Sequence, residues 1–198
     1  VEEYSFAADS RGWVVTPYTG SQIGLMTLAR LLADKGGRMS PSEAQRALTH
    51  TLEAVQSAHE IGLCHGPLSP DQILIDRRGS ATIELYGLDR RLHSDACQPG
   101  VDSVRQDEIT SLVRLGYVLL TGLNPASLHI SSTRLVKRLD RKWDAFFAAG
   151  LNPQAGFASA ADALAALPGS SAVPAPPTPA PSRVRPIVTL GFRTPAAR

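Results

Sequence analysis

The chain has 198 residues, of which 43% are hydrophobic and 19% charged, enough for one sizeable core with an appendage and too little for a multidomain machine. A formal charge of +2 and an aromatic content of 6% argue against nucleic-acid partners, which need a strong basic field or stacking platforms. No run of about 18 uninterrupted apolar residues is present to span a bilayer, so no membrane partner is expected for this segment.

In chain order, residues 4–8 and 13–18 read as short strands around Asp9, Ser10, Arg11 and Gly12, a cluster with turn chemistry; Pro17 ends the second strand. A helix is predicted from about Ser21, as N-cap, through Leu25, Leu28 and Leu32 to Gly36 and Gly37. The next helix has the clearest start. Ser40 caps it, Pro41 suits its first position, and Glu43, three residues on, completes a capping box. Its apolar face runs Ala44, Ala47, Leu48, Leu52, Val55, Ala58, and Gly62 closes it.

Residues 72–75 and 81–86 read as the strands of a hairpin turned by residues 76–80, Asp-Arg-Arg-Gly-Ser. Polar loop is expected from about Arg90 to Val104. Beyond it lies a strongly apolar helix over about 107–120, with Leu112, Leu115, Gly116 and Leu119, ending at Gly122. Helical segments near 132–149 and 159–167 complete the body.

Residues 168–198 contain no acidic residue, four arginines (Arg183, Arg185, Arg193, Arg198) and eight of the 15 prolines. Such a segment has too little to bury and favours extended polyproline conformations. It reads as a disordered basic linker or tail, with a proline-motif ligand for a partner domain as the alternative. Its four charges leave the body before it slightly acidic. Cys64 and Cys97 form no CxxC or Cys/His cluster, and Cys64, beside Leu63, reads as a small buried hydrophobe. Two cysteines suit a reducing compartment. None of the five histidines (His50, His59, His65, His93, His129) forms an HExxH or HxxxH pair, so no metal site is expected.

One region is more specific. Ala58-His59-Glu60-Ile61-Gly62-Leu63-Cys64-His65-Gly66-Pro67-Leu68-Ser69-Pro70-Asp71-Gln72-Ile73-Leu74 resembles the catalytic-loop pattern AHExGIxHRDLKPENIL of protein serine/threonine kinases. Thr82-Ile83-Glu84-Leu85-Tyr86-Gly87-Leu88 is similar to the strand and magnesium loop that end in DFGL. Residues 107–112 and 119–122 resemble the SDIYSLG…LLTG helix, residues 150–162 the end of the domain, and residues 13–18 the last N-lobe strand and hinge. The pieces stand in the family's order over roughly residues 4–167. The resemblance implies an α+β fold: a mainly α-helical kinase-like C-lobe (residues 21–167) with a short hairpin, preceded by an N-lobe strand remnant and hinge (1–20, hinge-like Thr16, Pro17 and Tyr18) and followed by the tail (168–198).

Phosphoryl transfer needs positioned charges more than covalent chemistry: a catalytic-loop Asp near the substrate hydroxyl, an Asn and the DFG Asp on magnesium, and an N-lobe Lys held by a Glu. Carried over residue by residue, the resemblance fails at the reactive groups. Gly66-Pro67 replaces Arg-Asp, Ser69 the loop Lys, Gln72 the metal-binding Asn and Leu85 the metal-binding Asp. His65, Leu68, Pro70, Ile73, Leu74 and Gly87 keep the frame, and Tyr86 keeps an aromatic ring. No Ala-Pro-Glu follows, and the arginine that would pair with its Glu aligns with Gly156, so both halves of an ion pair are missing together. Either Glu108 or Asp107 can supply the buried carboxylate that braces the loop backbone. Asp71 and Asp89 lie too far along to replace the lost acids and read as a loop-to-strand cap and a partner of Arg90, Arg91 or water. All three lysines (Lys35, Lys137, Lys142) follow the hinge, and no glycine-rich loop precedes them.

The resemblance therefore implies a catalytically inactive kinase-like module, bacterial in type, acting as a cytoplasmic scaffold or regulatory docking domain for an unknown protein partner. No catalytic or metal residues are assigned; His65, Pro67, Ser69, Gln72, Leu85 and Gly87 mark degenerate positions, and ATP with magnesium is expected only if an upstream N-lobe exists. One alternative is a phosphotransferase, either a protein kinase with unconventional residues or a small-molecule kinase of the aminoglycoside or choline type. His65-Gly66 is similar to the start of the latter's HGD loop, although Pro67 replaces its Asp. A further alternative is a truncated fragment without independent function. Oligomeric state is left open.

Overall fold

The computed structural model describes residues 3–6, 12–15, 25–87, 102–125, 130–152 and 154–169. Strands β1 (Glu3–Phe6) and β2 (Gly12–Val15) pair antiparallel, with Tyr4 opposite Val14 and Phe6 opposite Gly12. The hinge-like Thr16, Pro17 and Tyr18 lie outside the described residues.

A second sheet has three antiparallel strands in the order β3 (Met26–Thr27), β4 (Ile73–Ile75), β5 (Ala81–Ile83). The hairpin between β4 and β5 forms as expected, because Oδ1 of Asp76 accepts from the amides of Arg78 and Ser80 and closes the turn. β5 is shorter than the alternating pattern over 81–86 suggested; the chain turns at Glu84, and Leu85 adopts a left-handed φ of 50°.

Helix α1 (Leu28–Asp34) begins well after the expected Ser21. Met26 and Thr27 are held in the sheet opposite Ile75 and Leu74, and the Thr27 hydroxyl caps the helix by accepting from the Arg30 amide. Helix α2 (Pro41–Glu60) fulfils the sequence reading, with both hydrogen bonds of the capping box between Ser40 and Glu43 present. It buries Ala44, Ala47, Leu48, Leu52 and Val55, together with Thr51, whose hydroxyl donates back to the Ala47 carbonyl.

Helix α3 (Asp102–Thr121) starts five residues earlier than its apolar pattern indicated, because its first turn is polar and carries no periodic signal. Its buried face, Ile109, Leu112, Val113, Leu119 and Leu120, packs against α2. Gly116 permits this approach: a Cβ there would stand 2.5 Å from Leu48 Cδ1. At its far end the amide of Met39, in the α1–α2 connection, donates to the Leu119 carbonyl over 2.6 Å.

The single helix expected over 132–149 is two, α4 (Ser132–Leu135) and α5 (Lys142–Gly150). Arg138 takes a φ of 60°, which no right-handed helix accommodates, and Asp140 accepts from the Lys142 amide. Trp143, Phe146 and Phe147 of α5 pack their rings against one another in the core, and Phe147 meets Tyr117 edge-on, with ring centroids 5.3 to 6.0 Å apart. Helix α6 (Ala160–Ala166), capped by Ser159, lies against α2. The tail beyond Gly169 lies outside the described residues. Among those described, no helix is long and apolar enough to cross a membrane.

Candidate functional site

The segment from His59 to Gln72 runs off the end of α2, crosses α3 and enters β4. It is held at three points. Glu108, fully buried on α3, accepts through Oε2 from the backbone amide of His65 at 3.3 Å and from the His59 ring at 3.1 Å. Ser111, one turn further, accepts from the Leu68 amide at 2.9 Å while donating to the Glu108 carbonyl. Arg105 reaches the His59 carbonyl at 3.5 Å. Of the two neighbouring carboxylates left open by the sequence, Glu108 is therefore the brace, and Asp107 is exposed. The roles of His59, Ser111 and Arg105 were not read from the sequence. The one usable signal was a charged residue, Glu108, at helical spacing from Leu112 on an otherwise apolar face.

Inside this frame each degenerate position has a definite setting. Gly66 has a φ of 98° and is buried, whereas Pro67 faces solvent and offers neither an acid–base group nor an N–H. The amide of Ser69 donates to Oε1 of Gln72 at 2.9 Å, and Nε2 of Gln72 lies 3.1 Å from Nε2 of His65. Because Ser69 fixes which end of the Gln72 amide is oxygen, the other end is the donor. The His65 Nε2 must then accept, placing the proton of the neutral ring on Nδ1. Leu85, at the DFG-like position, is 46% exposed and has only carbon to offer. Tyr86 packs its ring 5.6 Å from that of His65. Gly87, with φ 69°, is required: a Cβ there would lie 3.1 Å from the Cys64 carbonyl.

Nδ1 of His65, the Tyr86 hydroxyl and Oε1 of Glu108 are buried without a partner at hydrogen-bonding geometry among the described residues. Burial, and after it the Glu108 carboxylate, push the Tyr86 phenol well above its ordinary value, so it is neutral at physiological pH. Cys64 is 3% exposed, as expected of a small buried residue, but it is disulfide-bonded rather than the lone cysteine read from the sequence. Cys97, the only other cysteine in the chain, lies outside the described residues.

These residues do not fit the magnesium ion that the resemblance implies. A hard cation needs several oxygen ligands. The Gln72 oxygen already accepts from Ser69, Leu85 has no ligand atom, and among the described residues no group of three or more His, Cys, Asp or Glu side chains could hold a metal. Asp71 is exposed in the 3-10 turn Pro70–Gln72, and Asp89 lies outside the described residues. Gly156 faces α3, where a Cβ would stand 3.2 Å from the Gln106 amide.

No family model matches the chain. Its fold is similar to that in the crystal structure of the Mycobacterium tuberculosis PknI kinase domain, with a TM-score of 0.56 and 18% identity over 73% of this chain and 61% of that one. In sequence it is 36% identical over 52 residues to a CBL-interacting protein kinase 1 of Oryza sativa subsp. japonica. That match spans 26% of this chain and only 11% of the plant protein. The chain thus has a protein kinase-like α+β fold, mostly helical with a small three-stranded sheet.

Proposed function

We propose that the chain is a kinase-like module that does not transfer phosphate and serves as a scaffold or regulatory docking domain of a serine/threonine kinase-like type. The observation that carries this is the Gln72 side chain. At the position where the family binds magnesium, its amide is committed to Ser69 and His65, while Pro67 and Leu85 supply neither a base nor a ligand. What surrounds them is a well-formed support, with Glu108, Ser111 and Gly87 all in place. A fold kept in packing and stripped at its reactive groups suits protein contacts better than phosphoryl transfer.

The test is incubation with labelled ATP and magnesium or manganese, alone and with generic protein acceptors, aminoglycosides or choline. Parallel thermal melts with and without the nucleotide complete it. No label transfer and no shift in the melting midpoint are expected of this chain. Transfer to any acceptor would return the phosphotransferase reading. The same assay on the chain joined to a kinase N-lobe tests whether such a lobe confers nucleotide binding. A cytoplasmic location goes with this reading.

A further inference from the structure

A groove of about 590 Å³ opens between the α1–α2 connection, the end of α3 and the chain at and following α4. Half of its lining is apolar, the buried Met39 and Leu120 and the half-buried Leu135 and Val136, which form the floor; the exposed Lys35, Arg38 and Lys137, with Ser40, form a polar rim. Lys35 is engaged with Glu43 at 2.7 Å. Arg38 and Lys137 are exposed and form no ion pair among the described residues. The stretch that supplies the Lys137 edge is itself basic: Arg134, Lys137, Arg138, Arg141 and Lys142 stand against a single acid, Asp140.

We propose that this groove docks an acidic peptide segment of a partner protein, in which an apolar side chain enters the floor and flanking carboxylates meet Arg38 and Lys137. The proposal rests on the docking reading above and gives that reading a partner chemistry. Charge selects the occupant. The chain's own tail, residues 168–198, carries four arginines and no acid, so the rim repels it. A polyanion without apolar groups would leave the Met39–Leu135–Val136 floor wet. An apolar segment without carboxylates would bury Arg38 and Lys137 without partners, which costs more than the floor returns. An apolar residue set among acids satisfies both halves of the surface, with the charges directing approach and the floor holding the complex.

The experiment titrates the full chain with an array of fluorescein-labelled peptides, each carrying one or two leucines among glutamates at varied spacing, followed by amide shift mapping with the tightest. Saturable binding is expected, with shifts centred on residues 35–40 and 134–138. Affinity should fall about tenfold in Arg38→Glu/Lys137→Glu and stay unchanged in Arg77→Glu/Arg78→Glu on the β4–β5 hairpin, outside the groove lining. Arg38→Gln/Lys137→Gln, milder at these exposed sites, serves if charge reversal disturbs folding. The proposal is overturned if no peptide binds, if leucine-free glutamate peptides bind equally well, or if the groove variants bind like the parent. It is also overturned if phosphatidylserine vesicles or a second copy of the chain, rather than peptide, engage these residues. Failure here leaves the argument from Gln72 and Pro67 intact, whereas phosphate transfer by the chain removes that argument and leaves the groove untouched.

Discussion

The Gln72 side-chain amide and the His65 ring lie 3.1 Å apart, and the opposite end of the same amide accepts from Ser69. One side chain thereby closes the loop on itself and sets the tautomer of the histidine. In Gln72→Ala both bonds go and the half-buried His65 ring loses its donor; unfolding in urea should show a loss of about 1–2 kcal/mol. Gln72→Asn, one methylene shorter, should recover little of it. Nitrogen-15 spectra should show His65 with an unprotonated Nε2 in the parent and mixed tautomers in Gln72→Ala.

Glu108 and Asp107 are adjacent in sequence and opposite in consequence. Glu108→Ala strands the His65 amide and the His59 ring in the interior and should cost about 3 kcal/mol or more. Asp107→Ala, at an exposed position, should change stability by no more than about 0.5 kcal/mol. Equal losses in denaturant melts would contradict the assignment of the brace.

Gly87→Ala combines a left-handed backbone with a contact to the Cys64 carbonyl at 3.1 Å. A loss of about 1–2 kcal/mol is expected. Gly36→Ala shares the left-handed φ, at 75°, but meets nothing within 4 Å. It should cost less, and calorimetric midpoints of the pair separate backbone strain from steric conflict.

Acid should unfold the lobe partly through two carboxylates. Glu43 is lowered from 4.5 to about 2, chiefly by its hydrogen bond to Lys35 and then by those of Ser40. Burial alone would raise Asp144, but hydrogen bonds from Thr133, Ser132 and Ser131 outweigh it and hold the group well below its ordinary value. Both folded values are depressed, so the stabilisation is complete above the ordinary carboxylate range and is lost as pH falls through and below it. The Glu43 share is small, since its side chain is 40% exposed. Asp144→Ala should lower stability by about 1–2 kcal/mol at neutral pH through loss of the cap on α4, and should flatten the acid limb of stability plotted against pH.

What could be read from the sequence was local. The Ser40–Glu43 box and the Asp76 turn each lie within a few residues, and each formed where the pattern put it. Misreadings arose where distant partners decide. Met26 and Thr27 look like the interior of a helix until Ile75 and Leu74 pair with them. The stretch 132–149 looks continuous until Arg138 turns left-handed. At the site, the motif order located the loop and its missing acids. It could not choose between Asp107 and Glu108, because burial on α3 makes that choice, nor show that the Gln72 amide was already engaged.

Met39 carries a consequence for how the lobe opens. Its amide belongs to a connecting segment, yet it donates over 2.6 Å to the Leu119 carbonyl, one of those that α3 cannot satisfy within itself. Neither the end of α3 nor the α1–α2 connection is complete without the other. In hydrogen–deuterium exchange this one loop proton should be retained as long as the core amides of α3, and its release should mark the separation of the two segments rather than fraying of either.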